Sequence, residues 1–170
     1  SGVTTQIESI DTFDGEKLWS MDWGNLIRHD PVDFSAEILV SEADIGSPNL
    51  HHMRGIAWDG TRIWTMLSGQ LYEHSVVDYT VETLHEPNGM GSPVGLDFHD
   101  GHLWMTDRAG GFIDKYDPTT LERTNRYSIT GQPYGIAWSD SNLWIYDWQT
   151  KRIYMIKDLP EQSIDPQNRY

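Results

Sequence analysis

The chain reads as an all-β protein, a β-propeller of four blades with four antiparallel strands in each. Three observations carry this. A turn followed by a tryptophan recurs four times, as Asp14-Gly15-Glu16-Lys17-Leu18-Trp19, Asp59-Gly60-Thr61-Arg62-Ile63-Trp64, Asp100-Gly101-His102-Leu103-Trp104 and Ser139-Asp140-Ser141-Asn142-Leu143-Trp144, with the tryptophans 45, 40 and 40 residues apart. A fixed period near 40 residues is the mark of an array of equal structural units. Helical periodicity is absent, and short apolar runs alternate with Gly, Asp and Pro turn signals. Within a unit the runs grade from apolar to polar, as expected if inner strands are covered on both faces and the last lies near solvent. Sheets stacked radially around an axis meet that requirement.

The elements follow in order. In the first unit Ile10-Asp11-Thr12-Phe13 precedes the motif, and Leu26 to Asp30 forms a third strand. The second unit has Gly55-Ile56-Ala57-Trp58, the motif, then Leu71 to Ser75. The third is the clearest. Val94 to Phe98 and Leu103 to Asp107 are apolar strands, Phe112 to Tyr116 alternates, and Asp117-Pro118 ends it because proline cannot donate to a ladder. Leu121 to Ile129 is its polar fourth strand. The fourth unit has Gly135-Ile136-Ala137-Trp138, the motif, and Arg152 to Ile156. In the last three units a glycine stands nine residues before the tryptophan; the first lacks it. The only long irregular stretch, Ser41 to His52, holds the five-residue excess of the first spacing.

One domain over 1–170 results, with blades at about 5–45, 50–88, 92–130 and 132–168. The last blade needs a fourth strand, from Gln162-Ser163-Ile164-Asp165 or from the N-terminal Val3 to Ile7. The C-terminal route is preferred, because Ile7 runs straight into the first strand of blade one. The alternatives are that the chain is half of an eight-bladed dimeric ring, or that edge strands swap between chains.

The 170 residues include eight Trp and no Cys, and their net charge is −14. Absent cysteine removes disulfides, thiolate nucleophiles and Cys-type zinc sites. An acidic surface repels phosphate, so nucleic acid and anionic membranes are poor partners. No apolar run is long enough for a spanning helix, and no signal peptide is visible, so the chain reads as soluble with its compartment unassigned.

The phrase Gly-Ile-Ala-Trp-Asp-Gly-x-x-Ile-Trp at Gly55 to Trp64 resembles the repeat of bacterial propellers with six or seven blades. These include the NHL and YVTN repeat proteins, the streptogramin lyase-like proteins and the glutamine cyclotransferase-like proteins. Tyr116-Asp117-Pro118-Thr119-Thr120, closing a third strand, is similar to the same group. The resemblance spans nearly the whole chain. It implies the propeller fold, with residues just before each first strand lining the top of the axis. Enzymes of the group draw catalytic residues from more blades than the four found here.

Those pre-strand residues are Leu50 to Arg54, Gly91 to Val94 and Gly131 to Tyr134, and they differ from blade to blade, as a ligand site on a repeated frame would. The candidate ligand-binding residues are His52, Arg54, Gln132 and Tyr134, together with Trp23 and Trp148 on the turns after second strands. Arg54 suits a carboxylate or phosphate, and histidine suits a metal or a proton. His51 and His52 cannot serve one site if their segment is extended, since neighbours there face opposite ways. Trp23 and Trp148 suit sugar stacking or a protein partner, with packing at the rim as the alternative.

Asp22, Asp107 and Asp147 each stand three residues after a motif tryptophan; Leu67 breaks the set. Three carboxylates around an axis suit a divalent cation, calcium or magnesium. Capping of a turn explains the recurrence better, because repetition serves the frame first. No other cofactor is implied. Trp19, Trp64, Trp104 and Trp144 are equivalent and are accounted for by packing between blades, and Trp58 and Trp138 also repeat.

No Gly-x-Ser-x-Gly, His-Glu-x-x-His, P-loop or Gly-x-Gly-x-x-Gly is present. The expected function is therefore a propeller module that binds a protein or small-molecule ligand at its axial loops. The alternatives are a small metal-assisted hydrolase, lyase or cyclotransferase-like enzyme, and a self-assembling unit, a homodimer with its site between chains.

Overall fold

The computed structural model describes residues 9–22, 25–40, 53–67, 69–75, 77, 79–87, 89–156 and 159, with the side chains of 9–11, 22, 40, 53, 54, 67 and 82 outside that description. Every regular element among these residues is a β-strand, and no helix is long and apolar enough to cross a membrane. Blade 1 contains β1 (Ser9–Phe13), β2 (Leu18–Asp22), β3 (Asn25–His29) and β4 (Ala36–Val40). Blade 2 contains β5 (Met53–Trp58), β6 (Ile63–Leu67), β7 (Gln70–His74) and β8 (Val81–His85). Blade 3 contains β9 (Pro93–His99), β10 (His102–Asp107), β11 (Phe112–Tyr116) and β12 (Arg123–Ser128). Blade 4 contains β13 (Pro133–Ser139), β14 (Asn142–Asp147) and β15 (Arg152–Ile156). Each sheet is an antiparallel meander in chain order, and the four sheets form a four-bladed β-propeller. Both candidate closing strands, Val3 to Ile7 and Gln162 to Asp165, lie outside the described residues.

The polarity gradient has its expected cause. First strands of successive blades lie against each other, β1 on β5, β5 on β9 and β9 on β13. In blade 3, β9 and β10 are largely buried while β12 is only partly so, with one residue of six buried.

The pleat gives each blade a leading face, towards the blade that follows, and a trailing face, towards the blade before. Motif tryptophans occupy the leading face. Trp19 packs with Ile56, Ile63 and Trp58 of blade 2, and Trp64 with Leu96, Leu103 and Met105 of blade 3. Trp104 packs with Leu143 and Ile145 of blade 4 and crosses Trp138 at 4.9 Å between ring centroids. Burial of such side chains is the main stabilising term of the fold. The third seam has a polar stitch as well. The Asp97 carboxylate accepts the Trp138 N–H at 2.6 Å and the Phe98 N–H at 2.8 Å, while His99 stacks on Trp138 at 4.3 Å. Burial pushes the Asp97 carboxyl up from its ordinary value.

Trp144 corrects one expectation. Trp19, Trp64 and Trp104 are 2%, 0% and 4% exposed, yet the equivalent Trp144 is 38% exposed. The reason is that no blade follows blade 4 among the described residues. Sequence equivalence fixes the position of the indole in its sheet, but the neighbouring sheet is what buries it.

The four turns before the tryptophans are one motif in sequence and two in structure. In blades 1 and 2 the aspartate lies five residues before the tryptophan and opens a four-residue connection. Asp14 accepts the N–H groups of Glu16 and Lys17 and, through its other oxygen, the Trp19 indole N–H at 2.8 Å. Asp59 does the same for Thr61, Arg62 and Trp64, again with 2.8 Å to the indole. In blades 3 and 4 the aspartate lies four residues before the tryptophan, inside a two-residue connection. Asp100 and Gly101 both take positive φ, 49° and 73°, as a type I′ hairpin turn requires. The Trp104 indole N–H then bonds the His99 carbonyl instead, at 3.2 Å.

Blades 1 and 2 also carry a buried hydroxyl–imidazole pair. Ser20 Oγ lies 2.7 Å from His29 Nε2, and Thr65 Oγ1 lies 2.8 Å from His74 Nε2. The same register positions hold Met105 with Tyr116 in blade 3 and Ile145 with Ile156 in blade 4. His74 Nδ1 lies 3.1 Å from the Tyr79 carbonyl, which only accepts, so Nδ1 carries the proton and Thr65 donates to Nε2. Burial lowers the pKa of both imidazoles from 6.5. Above that value the ring is neutral in folded and unfolded chains alike and adds no pH dependence. Below it the unfolded ring protonates while the folded one resists, so stability falls from pH 6.5 down to the lowered folded value. Urea unfolding on either side of pH 6.5 is expected to show this loss. The double variant Thr65→Ile/His74→Ile, which copies blade 4, is expected to reduce it, leaving the His29 contribution.

Candidate functional site

First strands begin, and second strands end, at one end of the propeller. The seven candidate positions within the described residues, Asp22, Arg54, Asp107, Gln132, Tyr134, Asp147 and Trp148, belong to this end by chain topology. His52 and Trp23 lie outside the described residues, as does His51. Arg54 is on β5 and Asp22 ends β2, with both side chains outside the description. Gln132, Tyr134, Asp147 and Trp148 gather in blade 4, and Asp107 holds the equivalent corner of blade 3.

A bulge recurs near the start of the first strand in blades 2, 3 and 4. Pairing skips Arg54 between Met53 and Gly55, Val94 between Pro93 and Gly95, and Tyr134 between Pro133 and Gly135. An extra residue in one strand bends it and re-aims its side chain. The frame is therefore constant while the bulged residue varies from Arg to Val to Tyr.

The two described carboxylates hold this end in shape. Asp107 accepts the Gly91 N–H at 2.7 Å and the Ser92 and Gly110 N–H groups at 3.0 Å. Asp147 accepts the Gln132 N–H at 2.9 Å, the Thr150 N–H at 2.7 Å and the Thr150 hydroxyl at 3.1 Å. Each clamps the loop entering its blade to the turn leaving the second strand. Above all the Thr150 N–H, opposed by burial, holds the Asp147 carboxyl below the usual carboxylate range. Gly131, at φ 124°, fits beside Asp147 where any side chain would collide with the carboxylate. These bonds account for the recurrence of aspartate at this position. Among the described residues no group of three or more His, Asp or Glu is gathered closely enough to hold a metal ion.

On this corner stands an aromatic shelf. Trp148 stacks on Tyr134 with centroids 5.2 Å apart, and Tyr134 meets Tyr146 edge-on at 6.4 Å. The Lys151 ammonium lies over Trp148, 3.2 Å from the ring centroid. Trp148 nevertheless remains 43% exposed, and Gln132 beside it is exposed. The Trp148 N–H donates to the Gln132 carbonyl at 2.9 Å, which couples turn and loop. Next to the shelf a cavity of about 410 Å³ opens between blades 3 and 4, lined by Ile129, Thr130, Ile145, Asp147 and the Tyr154–Ile156 stretch. The Thr150 hydroxyl, 3.1 Å from Tyr154 Oη, joins the two features.

Sequence reasoning selected Gln132, Tyr134 and Trp148, which the fold brings together. It missed Tyr146 and Lys151. Tyr146 carried a signal, because pleat alternation from Trp144 puts it on the same face, two residues nearer this end.

No family model matches the chain, and no curated protein matches it. Solved structures do. BamB from Moraxella catarrhalis is similar with a TM-score of 0.59 and 10% identity, over 83% of this chain and 40% of that one. Glutaminyl cyclase from Myxococcus xanthus is similar with a TM-score of 0.55 and 17% identity, over 79% of this chain and 62% of that one. A chain in a nidogen–laminin complex is similar with a TM-score of 0.56 and 13% identity, over 87% of this chain and 73% of that one. The chain thus spans less than two thirds of either bacterial protein, and the likenesses establish the fold, a β-propeller.

Proposed function

We propose that this chain is a binding module that takes a segment of a protein partner on the aromatic shelf of blade 4. One observation carries the reading: Trp148 is a large side chain, stacked on Tyr134 and tied through its backbone N–H to the Gln132 carbonyl, that still offers much of its surface to solvent. Interface energy concentrates in rigid, partly exposed aromatic anchors of this kind. The net charge of −14 favours a basic partner by attraction at long range. Protein binding by a neighbour of the same fold, in the nidogen–laminin complex, agrees with this. Gln132 supplies an exposed amide beside the anchor for hydrogen bonding.

A phage library of random peptides panned on the immobilised protein tests the reading. Enriched peptides are expected to carry Lys or Arg next to an aromatic residue. Their affinity, measured by titration calorimetry, is expected to fall at least about tenfold in Trp148→Ala and in Tyr134→Ala. Equal affinity for the wild type and both variants overturns the assignment of the site.

A further inference from the structure

The indole of Trp148 has both of its faces taken by groups of its own chain. Tyr134 stacks on one, with centroids 5.2 Å and planes 30° apart. The Lys151 ammonium stands 3.2 Å from the centre of the ring. Non-bonded heavy atoms need about 3.5 Å between them, so an ammonium at that height and the Tyr134 ring cannot share one side, and Lys151 covers the other. Trp148 is 43% exposed even so, and Lys151 itself is exposed. The tyrosine is rooted in β13, whereas the lysine is a long flexible tether in contact with solvent. One cover is fixed and the other can swing away.

The backbone under Lys151 gives a second, independent observation. Lys151 holds φ 57°, left-handed backbone that disfavours residues other than Gly, Asn and Asp. The corresponding turn of blade 3 is built in the same way. Gly111 and Lys151 donate their N–H groups to the carbonyls of Asp107 and Asp147, both at 2.9 Å. Gly110 and Thr150 donate theirs to the carboxylates of the same two aspartates. Arg108 and Trp148 donate theirs to the loop entering the blade, at the Ser92 and Gln132 carbonyls. Blade 3 therefore meets the left-handed position with glycine, at φ 67°, and has arginine in place of the indole. Blade 4 meets it with lysine and has an indole beneath. A strained residue kept where the frame accepts glycine points to a role for its side chain, and this side chain caps Trp148.

We infer that the outer face of Trp148 is the seat for an arginine side chain of the partner, and that Lys151 is its built-in competitor, displaced when the partner arrives. The inference rests on the reading of Trp148 as the anchor of the binding site. The cation already in place shows what the face accepts. An indole attracts a cation through its ring quadrupole, and does so more strongly than the other aromatic side chains. A guanidinium is planar, stacks flat on a ring and is more weakly hydrated than an ammonium, so arginine is the cation best suited to displace the lysine. The net charge of −14 draws such a side chain in. An apolar side chain would remove the ammonium without replacing its attraction to the ring, so the cap also discriminates against apolar segments.

Nuclear magnetic resonance with N-acetylarginine amide, which carries a single guanidinium, tests this. In the free protein the Lys151 ε-methylene protons, assigned by their loss in Lys151→Gly, are expected well upfield of the ordinary lysine position, because the indole ring current shields them. The probe is expected to move them back to that position. N-acetylcitrulline amide, its neutral isostere, is expected to leave them where they are. Lys151→Gly copies the blade 3 turn and relieves the left-handed strain, so its thermal melt is expected to remain cooperative. Its Kd for the probe, followed at the Trp148 indole N–H, is expected to fall at least about fivefold, because the competitor is gone. Arg152→Gln removes the same charge from the neighbouring residue, leaves the cap in place and is expected to bind within about twofold of the wild type. An ordinary lysine position in the free protein overturns the inference. So do an upfield signal that the probe leaves unmoved, an equal response to the citrulline compound, or a Lys151→Gly affinity no higher than that of Arg152→Gln. The two readings fail separately. If library peptides need Trp148 while the Lys151 protons stay upfield with peptide bound, the binding module stands and the exchange falls. If the probe displaces Lys151 while the peptides ignore Trp148, the cation seat stands and the peptide site falls.

Discussion

Arg126→Ala is expected to destabilise the protein by about 3–5 kcal/mol, the usual cost of removing one partner of a buried ion pair. Asp114 on β11 is fully buried, and its carboxylate takes a two-pronged bond from Arg126 on β12, at 2.7 Å to Nε and 2.6 Å to Nη2. Nη2 also donates to the Gly89 carbonyl at 2.8 Å, and the guanidinium lies 4.3 Å over the Phe112 ring. Arg123 lies farther from the carboxylate, with Nη1 at 3.6 Å, and does not replace the fork. Truncation of Arg126 therefore leaves a carboxylate in the seam between blades 2 and 3 with its best donors gone. In a chain of this size the melting temperature is expected to drop by about 10 °C. The register supplies the control. Asp114 and Arg126 stand where blade 1 has Ile27 paired with Ile38 and blade 2 has Tyr72 paired with Leu84. Asp114→Ile/Arg126→Ile copies blade 1 and is expected to regain most of the loss, because an apolar pair needs no desolvated charge to be compensated. Urea unfolding of the three proteins decides it. If Arg126→Ala costs less than about 1 kcal/mol, solvent reaches Asp114 and the pair is a surface one.

Period and polarity alone carried the architecture, because both follow from what a stacked sheet needs: short strands, turns at fixed intervals, and apolar inner strands. What stayed hidden depends on register or on a neighbour. Asp59 and Asp100 look alike in sequence, but a one-residue offset from the tryptophan turns an indole acceptor into a hairpin residue. Ser20 with His29, and Thr65 with His74, are nine residues apart, and only the pairing of second and third strands brings them together. Trp144 matches its three counterparts in sequence and differs in burial because its environment comes from another sheet. At the candidate site Gln132, Tyr134 and Trp148 were legible, since a meander returns the loop before the first strand and the turn after the second to one end. Asp107 and Asp147 were legible as turn-capping groups for the same reason. Tyr146 was legible by alternation as sharing the Trp144 face, but its contact with Tyr134 and the placement of Lys151 over Trp148 emerged only from the folded strands and turn.

The second large effect is expected at Gly95. This residue does not occupy left-handed backbone, so the reason for glycine is space. A Cβ there would lie 2.7 Å from Thr106 Oγ1 and 3.2 Å from Ile136 Cγ2, and would collide with the Tyr134 carbonyl. None of these can retreat easily. Thr106 Oγ1 accepts the Gly95 N–H and donates to the Tyr134 carbonyl, both at 2.9 Å, so the hydroxyl is fixed from two sides. The carbonyl belongs to the first strand of the next blade. Gly95→Ala must therefore push β9 and β13 apart, and its cost is expected near the top of the overpacking range, about 3 kcal/mol. Gly135→Ala is the matched control. It changes the same register position in blade 4, where the nearest atom is Tyr146 Cβ at 3.3 Å, and its effect on the single chain is expected to stay within about 1 kcal/mol. The two positions differ in whether, among the described residues, the next sheet lies close across from them. A Gly95→Ala loss no larger than that of Gly135→Ala would mean that the inner strands have room to spare, and that close approach at the axis does not hold the blades together.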